Sequence, residues 1–224
     1  MAKENEYMLI VLGLIMAVLF GHSFLFTGSG LDILSPVHLL ALRFLLSALI
    51  FGALRVFGII EVNFKGKNLI AVILLCLTEP VCYFLFEALG IKYTSTSETG
   101  MFIAVVPVVT TLLGAVVLKE KPTFIQFCFV SLTVFGAIFM VVMKESITGV
   151  GGNLFGTLMI FCAVISQGIY NVFSRKLSKQ FTPYELTYSM MWIGAISFNI
   201  MSVVEHLLHG NIADYFTPLK NPQA

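Results

Sequence analysis

Residues 93–122 read YTSTSETGMFIAVVPVVTTLLGAVVLKEKP. A polar run from Thr94 to Thr99 gives way to about twenty residues without a charge, and Lys119-Glu120-Lys121-Pro122 closes the run. A helix needs about 20 apolar residues to cross the hydrocarbon core of a bilayer, so the stretch reads as one membrane-spanning helix. Ser95 and Glu98 stand as S-x-x-E, the spacing at which each side chain can satisfy a backbone N–H of the first turn.

Within that helix, Thr96, Gly100, Ala104, Thr111 and Ala115 recur close to one face. In lipid such a stripe lets a second backbone approach closely, and left without partners it favours self-association as a homodimer or instability in detergent. Pro107 lies near mid-span. A proline there kinks the helix, either passively within a packed bundle or as part of a cavity wall.

Composition extends this reading to the whole chain. Of its 224 residues, 58% are hydrophobic and 11% charged, against about 25% charged in a soluble domain. The chain is an all-α polytopic membrane protein with the lipid bilayer as its surroundings. A formal charge of +1 leaves no basic field for nucleic acid. Cys76, Cys82, Cys128 and Cys162 all fall in apolar runs without a C-x-x-C pair, where cysteine acts as a small hydrophobe. No metal or cofactor signal accompanies them. The first apolar run is too long for a signal-peptide core and lacks an A-x-A site, so it reads as a retained span.

Seven runs are long enough to span: Tyr7 to Phe26, Val37 to Ile60, Leu69 to Gly90, Ser97 to Leu118, Thr123 to Met143, Leu154 to Ser174 and Leu186 to Leu208. Ser35-Pro36, Lys121-Pro122 and Thr182-Pro183 are read as openings with proline in the first turn, where an N–H has no partner to lose. Thr182 and Glu185 repeat the capping spacing. Lys3, Arg55, Lys65, Lys67, Lys119, Lys121, Arg175, Lys176 and Lys179 fall on one side of the membrane, and Lys92, Lys144 and Lys220 on the other. The positive-inside rule then puts the N-terminus in the cytoplasm and, after seven crossings, the C-terminus outside.

Tyr93-Thr94-Ser95, the small-residue run, Pro107 and the closing Leu118-Lys119-Glu120 resemble, in that order, the EamA repeat of the drug/metabolite transporter superfamily, and the resemblance covers most of residues 7 to 208. A weak internal repeat agrees with it. Ala17-Val18 and Ala163-Val164 are 146 residues apart, and Ser35-Pro36 and Thr182-Pro183 are 147 apart. A five-span unit is odd, so its second copy enters from the opposite face, the inverted-repeat plan of many secondary transporters. The expected fold is a helical bundle of inverted five-helix repeats, the second incomplete. Residues 1–147 form the first repeat and 148–208 a partial second, joined through Ser146 to Asn153; 209–224 form a polar tail. The resemblance implies ten spans, so the chain is expected to be a fragment of a longer product or a natural truncation.

Ionisable groups inside spans are expensive and mark candidate sites. Arg43 lies about 10 Å in from the outer end of its span at 1.5 Å per residue, and Glu79 near the middle of the next. The two are expected within reach of one another, and a pair would lower the burial cost of each. Arg43 otherwise snorkels to headgroups, makes a structural ion pair, or binds an anion or zwitterion. Arginine at this place is also a feature of the EamA repeat. Glu79-Pro80 sets a carboxylate beside a helix-breaking residue, with Tyr83 and Glu87 at i+4 and i+8 on the same face. Glu79 is a candidate to exchange a proton. Glu87 and the pair Glu205-His206 read as solvated or interfacial. His22, Gln167, Tyr170 and Asn171 either hydrogen-bond between helices or hold a ligand. Glu98 is assigned to its cap.

The resemblance implies a secondary transporter, an exporter in this reading, of a small polar metabolite such as an amino acid or derivative, working by alternating access and located in the cell membrane. A non-transporting fragment or assembly subunit, or a seven-span receptor, is the alternative. There is no G-x-x-x-x-G-K-[ST] for ATP, and no H-E-x-x-H or G-x-S-x-G for membrane-interior catalysis. Residues 183 to 208 lack a lysine for a retinal Schiff base.

Overall fold

Helix starts expose backbone N–H groups that nothing in lipid can satisfy, and side chains at six starts supply the acceptor. Ser35 Oγ accepts from His38 N, Asn68 Oδ1 from Ala71 N, Ser95 Oγ from Glu98 N, Thr123 Oγ1 from Gln126 N, Asn153 Oδ1 from Phe155 N and Gly156 N, and Thr182 Oγ1 from Glu185 N. The computed structural model describes residues 2–119, 122–148, 153–210 and 215; of 2–6, 9, 137–138, 140–142 and 144–148 it describes the backbone alone. Glu120, Lys121, the centre of the Ser146–Asn153 joint and most of the 209–224 tail, Lys220 included, lie outside the described residues.

The helices are α1 (Ala2–Leu31), α2 (Pro36–Val56), α3 (Leu69–Cys76), α4 (Tyr83–Tyr93), α5 (Thr96–Ile103), α6 (Val106–Val117), α7 (Phe124–Thr148), α8 (Leu154–Leu177) and α9 (Pro183–Leu208). With α3–α4 and α5–α6 each counted as one broken span, six helices among the described residues are long and apolar enough to cross a membrane. The remaining expected span is α7, 25 residues long. Its start corrects the proline reading. Pro122 precedes the helix, which opens instead on a reciprocal box, with Thr123 N donating to Gln126 Oε1 at 2.8 Å.

Two spans are discontinuous for local reasons. A wide π-helical turn, Leu77–Cys82, joins α3 to α4, and inside it Glu79 has non-helical φ −145° and ψ 119°. Pro80 cannot continue the helical ladder there, because it lacks an N–H and restricts the residue before it. The second break falls at Ala104–Val105, immediately ahead of Pro107 in the first turn of α6.

In lipid the hydrophobic effect does not drive helices together, so close packing and interhelical hydrogen bonds must hold the bundle. The tightest pairs are α2–α9, α4–α8 and α6–α8. α4 is central. Its Ile91, and Tyr83 at its start, pack with Phe24, Phe102 and Ile160, while its Ala88 packs with Leu40, Phe44 and Phe198. α1 and α7 present rows of exposed apolar side chains, from Ile10 to Leu19 and from Phe124 to Phe135, that suit contact with lipid tails.

Glycine sets the closest approaches. A Cβ at Gly168 of α8 would lie 2.5 Å from Val109 Cγ1, and one at Gly194 of α9 would lie 2.5 Å from Phe44 Cδ1 and 2.9 Å from Pro80 Cγ. The small-residue stripe of α5–α6 behaves otherwise. A Cβ at Gly100 would meet nothing within 4 Å and Ala104 is exposed, whereas Thr96 does pack, against Gly28 of α1.

The connections sort the two ends of the bundle. One end, here the basic end, gathers Arg55, Lys65, Lys67 and Lys176 around the start of α3 and the start of α9. The far end brings Ser35 of α2 to Glu205 of α9 at 2.8 Å.

Candidate functional site

The break before Pro80 turns Glu79 out of the helical path and toward α8. Gln167 Nε2 donates to Glu79 Oε2 at 2.7 Å, and the same nitrogen lies 3.4 Å from Asn171 Oδ1. Asn171 Nδ2 then donates to Thr110 Oγ1 of α6 at 3.2 Å. A carboxylate, two amides and a hydroxyl from three spans thus form one polar file inside the bundle. Gly168 makes the file feasible by letting α8 lie against α6, and Gly194 fits α9 against Pro80. Tyr170 points elsewhere, its hydroxyl 3.1 Å from Met190 Sδ.

Arg43 and Glu79, expected to reach one another, hold different partners. Arg43 Nη1 donates to Thr27 Oγ1 at 2.9 Å and Nη2 to Ser23 Oγ at 2.8 Å, both on α1, and the guanidinium carbon lies 5.3 Å from the Phe84 ring centroid. The planar fork suits this arrangement, since two parallel N–H groups meet hydroxyls one helical turn apart. A cavity of about 550 Å³ opens between α1 and α2 beside it, lined by Leu19, His22, Ser23, Thr27, Arg43 and apolar neighbours. His22 is exposed there, with Nδ1 2.9 Å from Val18 O.

Glu87 is not solvated, as its sequence position suggested, but 3% exposed, and Tyr83 is 1% exposed. The position count placed Glu87 near the surface; it could not know that the far half of α4 is enclosed by α1, α2, α5 and α8. Arg43 and Tyr83 are its electrostatic neighbours, yet Glu87 Oε2 and Tyr83 Oη are both buried without a hydrogen-bond partner.

His206 is likewise buried rather than interfacial, at 9% exposure. Its ring meets His38 at 4.8 Å between centroids, and His38 stacks on Tyr215 at 4.9 Å. Tyr215 donates to Asn199 Oδ1, and burial pushes its phenol pKa up. The sequence reading missed His38, Ser23, Thr27 and Thr110. Ser23-x-x-x-Thr27 was the available signal, two hydroxyls on one face of α1 suited to an intramembrane arginine that must find acceptors.

At the basic end, Glu185 completes its capping box with Thr182 N at 2.9 Å, accepts from Asn63 N at 3.0 Å and pairs with Lys67. Arg55 donates to Tyr188 Oη at 3.1 Å. Among the described residues no group of three His, Cys, Asp or Glu is placed to hold a metal ion.

The family model for EamA-like transporters matches residues 7–142. An uncharacterized transporter of Bacillus subtilis, YcxC, is 33% identical over 222 residues, covering 99% of this chain and 71% of the relative. A second from that organism, YyaM, is 29% identical over 181 residues, with 75% and 56% covered. An uncharacterized transporter of Archaeoglobus fulgidus is 25% identical over 163 residues, with 73% and 56% covered. No solved structure matches.

Proposed function

The chain belongs to the EamA-like transporter family and is a multi-pass membrane transporter, and on that premise we propose that it exports a small polar metabolite, such as an amino acid or derivative, by alternating access about the broken α3–α4 span. The observation that carries this reading is the polar file Glu79–Gln167–Asn171–Thr110 at the break. Discontinuous helices put unsatisfied backbone and polar side chains at membrane depth, where they bind solutes in secondary transporters. A neutral amide pair beside a carboxylate offers donors and acceptors together and suits an amine-bearing or zwitterionic solute.

Two features support the inverted five-helix plan, with 1–147 and 148–208 as its units. Ser35-Pro36 and Thr182-Pro183 build the same cap, a hydroxyl at the N-cap and proline in the first turn, at opposite ends of the bundle. The helices they open, α2 and α9, are also the most closely packed pair. The cations gathered around Lys67 and Lys176 support a cytoplasmic basic end and a cytoplasmic N-terminus in the cell membrane.

The test is uptake of a panel of labelled amino acids and amines into proteoliposomes. Glu79→Gln and Asn171→Ala should each lower transport of any accepted solute by about tenfold, or ~1.4 kcal/mol. Glu98→Gln should lose less, because Glu98 sits in the capped first turn of α5 away from the file. Equal losses at Glu79 and Glu98 would overturn the assignment.

A further inference from the structure

Glu87 has no part in the file at the break, and its surroundings are unusual. The carboxyl is 3% exposed and Oε2 has no donor. The phenol of Tyr83, one turn earlier on the same helix, is 1% exposed and is the polar group on α4 that acts on this carboxyl. Among the described residues Arg43 of α2 is the cation that acts on Glu87, and its guanidinium donates instead to Ser23 and Thr27 of α1. Glu79, at the break, is the other carboxyl in reach of Tyr83, and it interacts with Glu87 itself. A bare carboxylate in a low-dielectric interior without a pairing partner is costly, so such a group takes up a proton or a cation.

We propose that Glu87 is an intramembrane proton-binding site of this protein, and that Arg43 takes the proton's place when it leaves. In the protonated state the carboxyl is neutral and Arg43 stays on the α1 hydroxyls, as in this structure. On release the Glu87 O–H bond breaks, its electron pair stays on the carboxylate and the proton passes to water. Arg43 then leaves Ser23 and Thr27 to pair with the anion. Because those hydroxyls belong to α1 and Glu87 to α4, loss of the proton is tied to a change in how α1 sits against the bundle. The inference rests on the transporter reading for its use, as a coupling ion, but not for its existence.

The experiment is infrared difference spectroscopy of the purified protein in lipid nanodiscs, titrated between about pH 5 and about pH 9, where exposed glutamates are already ionised. The wild type should show a protonated-carboxyl band that disappears as pH rises and shifts down in D2O. Glu87→Gln should abolish that band, Glu61→Gln, on an exposed side chain, should leave it, and Glu87→Asp should move it without removing it, which guards against a Gln variant that does not fold. Arg43→Gln should raise the pH at which the band is lost, because the replacement charge is gone. A band unchanged in Glu87→Gln would overturn the proposal, showing a carboxylate ionised throughout. A band lost on replacing choline chloride by sodium chloride at constant pH would overturn it in favour of a sodium site. Neither readout needs a transported solute, so an empty uptake panel with an intact Glu87 band would fault the transport reading alone.

Discussion

Glu185 and Glu87 are each 3% exposed, and the protein treats them in opposite ways. Glu185 stands at the start of α9, where the helix N-terminus favours a negative charge, and three donors converge on it: Lys67, Asn63 N and Thr182 N. Glu87 lies within α4 with an arginine nearby that is engaged elsewhere and one oxygen without a partner. The first carboxylate is satisfied and ties the α2–α3 connection to α9. The second is left short of partners, which a protein tolerates where the group has work to do.

Removing the satisfied carboxylate should have the largest effect. Glu185→Ala strands Lys67 and two backbone N–H groups, and with Lys67 24% exposed the loss, below that of a fully buried pair, should still be about 2–3 kcal/mol. Glu61→Ala, on an exposed side chain between α2 and α3, should stay within about 0.5 kcal/mol. Thermal unfolding in detergent decides it. Equal melting temperatures for the two variants would mean that the Lys67–Glu185 tie is not holding the basic end.

The close packing of α9 against α2 and the break comes next. Gly194→Ala would drive a methyl group into Phe44 and Pro80, and overpacking of this kind costs about 1–3 kcal/mol. Gly100→Ala should cost about 0.5 kcal/mol or less, since its Cβ meets nothing. Should the two variants unfold alike, the close approach of α9 to the break would be wrong.

That contrast also marks where sequence reading succeeds and where it fails. Spans, caps and both helix breaks are local properties, and they were legible: Ser95 and Thr182 cap as their spacing implies, and the chain leaves helical geometry beside Pro80 and Pro107. Which face of a helix meets another is not local. The stripe at Gly100 and Ala104 looked like a packing surface and is open, while Gly168 and Gly194, single glycines within their spans, carry close contacts. Side-chain partners failed for the same reason. Depth along the span put Arg43 near Glu79, but depth says nothing of rotation about the helix axis, and Arg43 faces α1.

Between the two extremes stands Glu79, partly satisfied by one donor. Glu79→Gln keeps an acceptor for Gln167 but gives up the charge, so its stability cost should be about 1 kcal/mol, well below that of Glu185→Ala. A loss as large as the Glu185 variant's would move Glu79 into the structural class and weaken its place in the transport site.

The smallest expected effect on stability belongs to Glu87→Gln. No hydrogen bond to Oε2 is lost, because that oxygen receives none; no ion pair is broken, because the Arg43 fork is occupied by Ser23 and Thr27. The amide has nearly the shape of the acid, so the packing around it needs no adjustment. A neutral isostere in place of a poorly solvated acid is about as stable, within roughly 0.5 kcal/mol, or slightly more so. The measurement is unfolding of Glu87→Gln beside the wild type at neutral and at mildly acidic pH. In acid, where the wild-type carboxyl is already neutral, the difference should shrink toward zero; at higher pH the variant should gain, because only the wild type then carries the charge. A variant markedly less stable than the wild type at neutral pH would place Glu87 with Glu185, as a carboxylate held by partners.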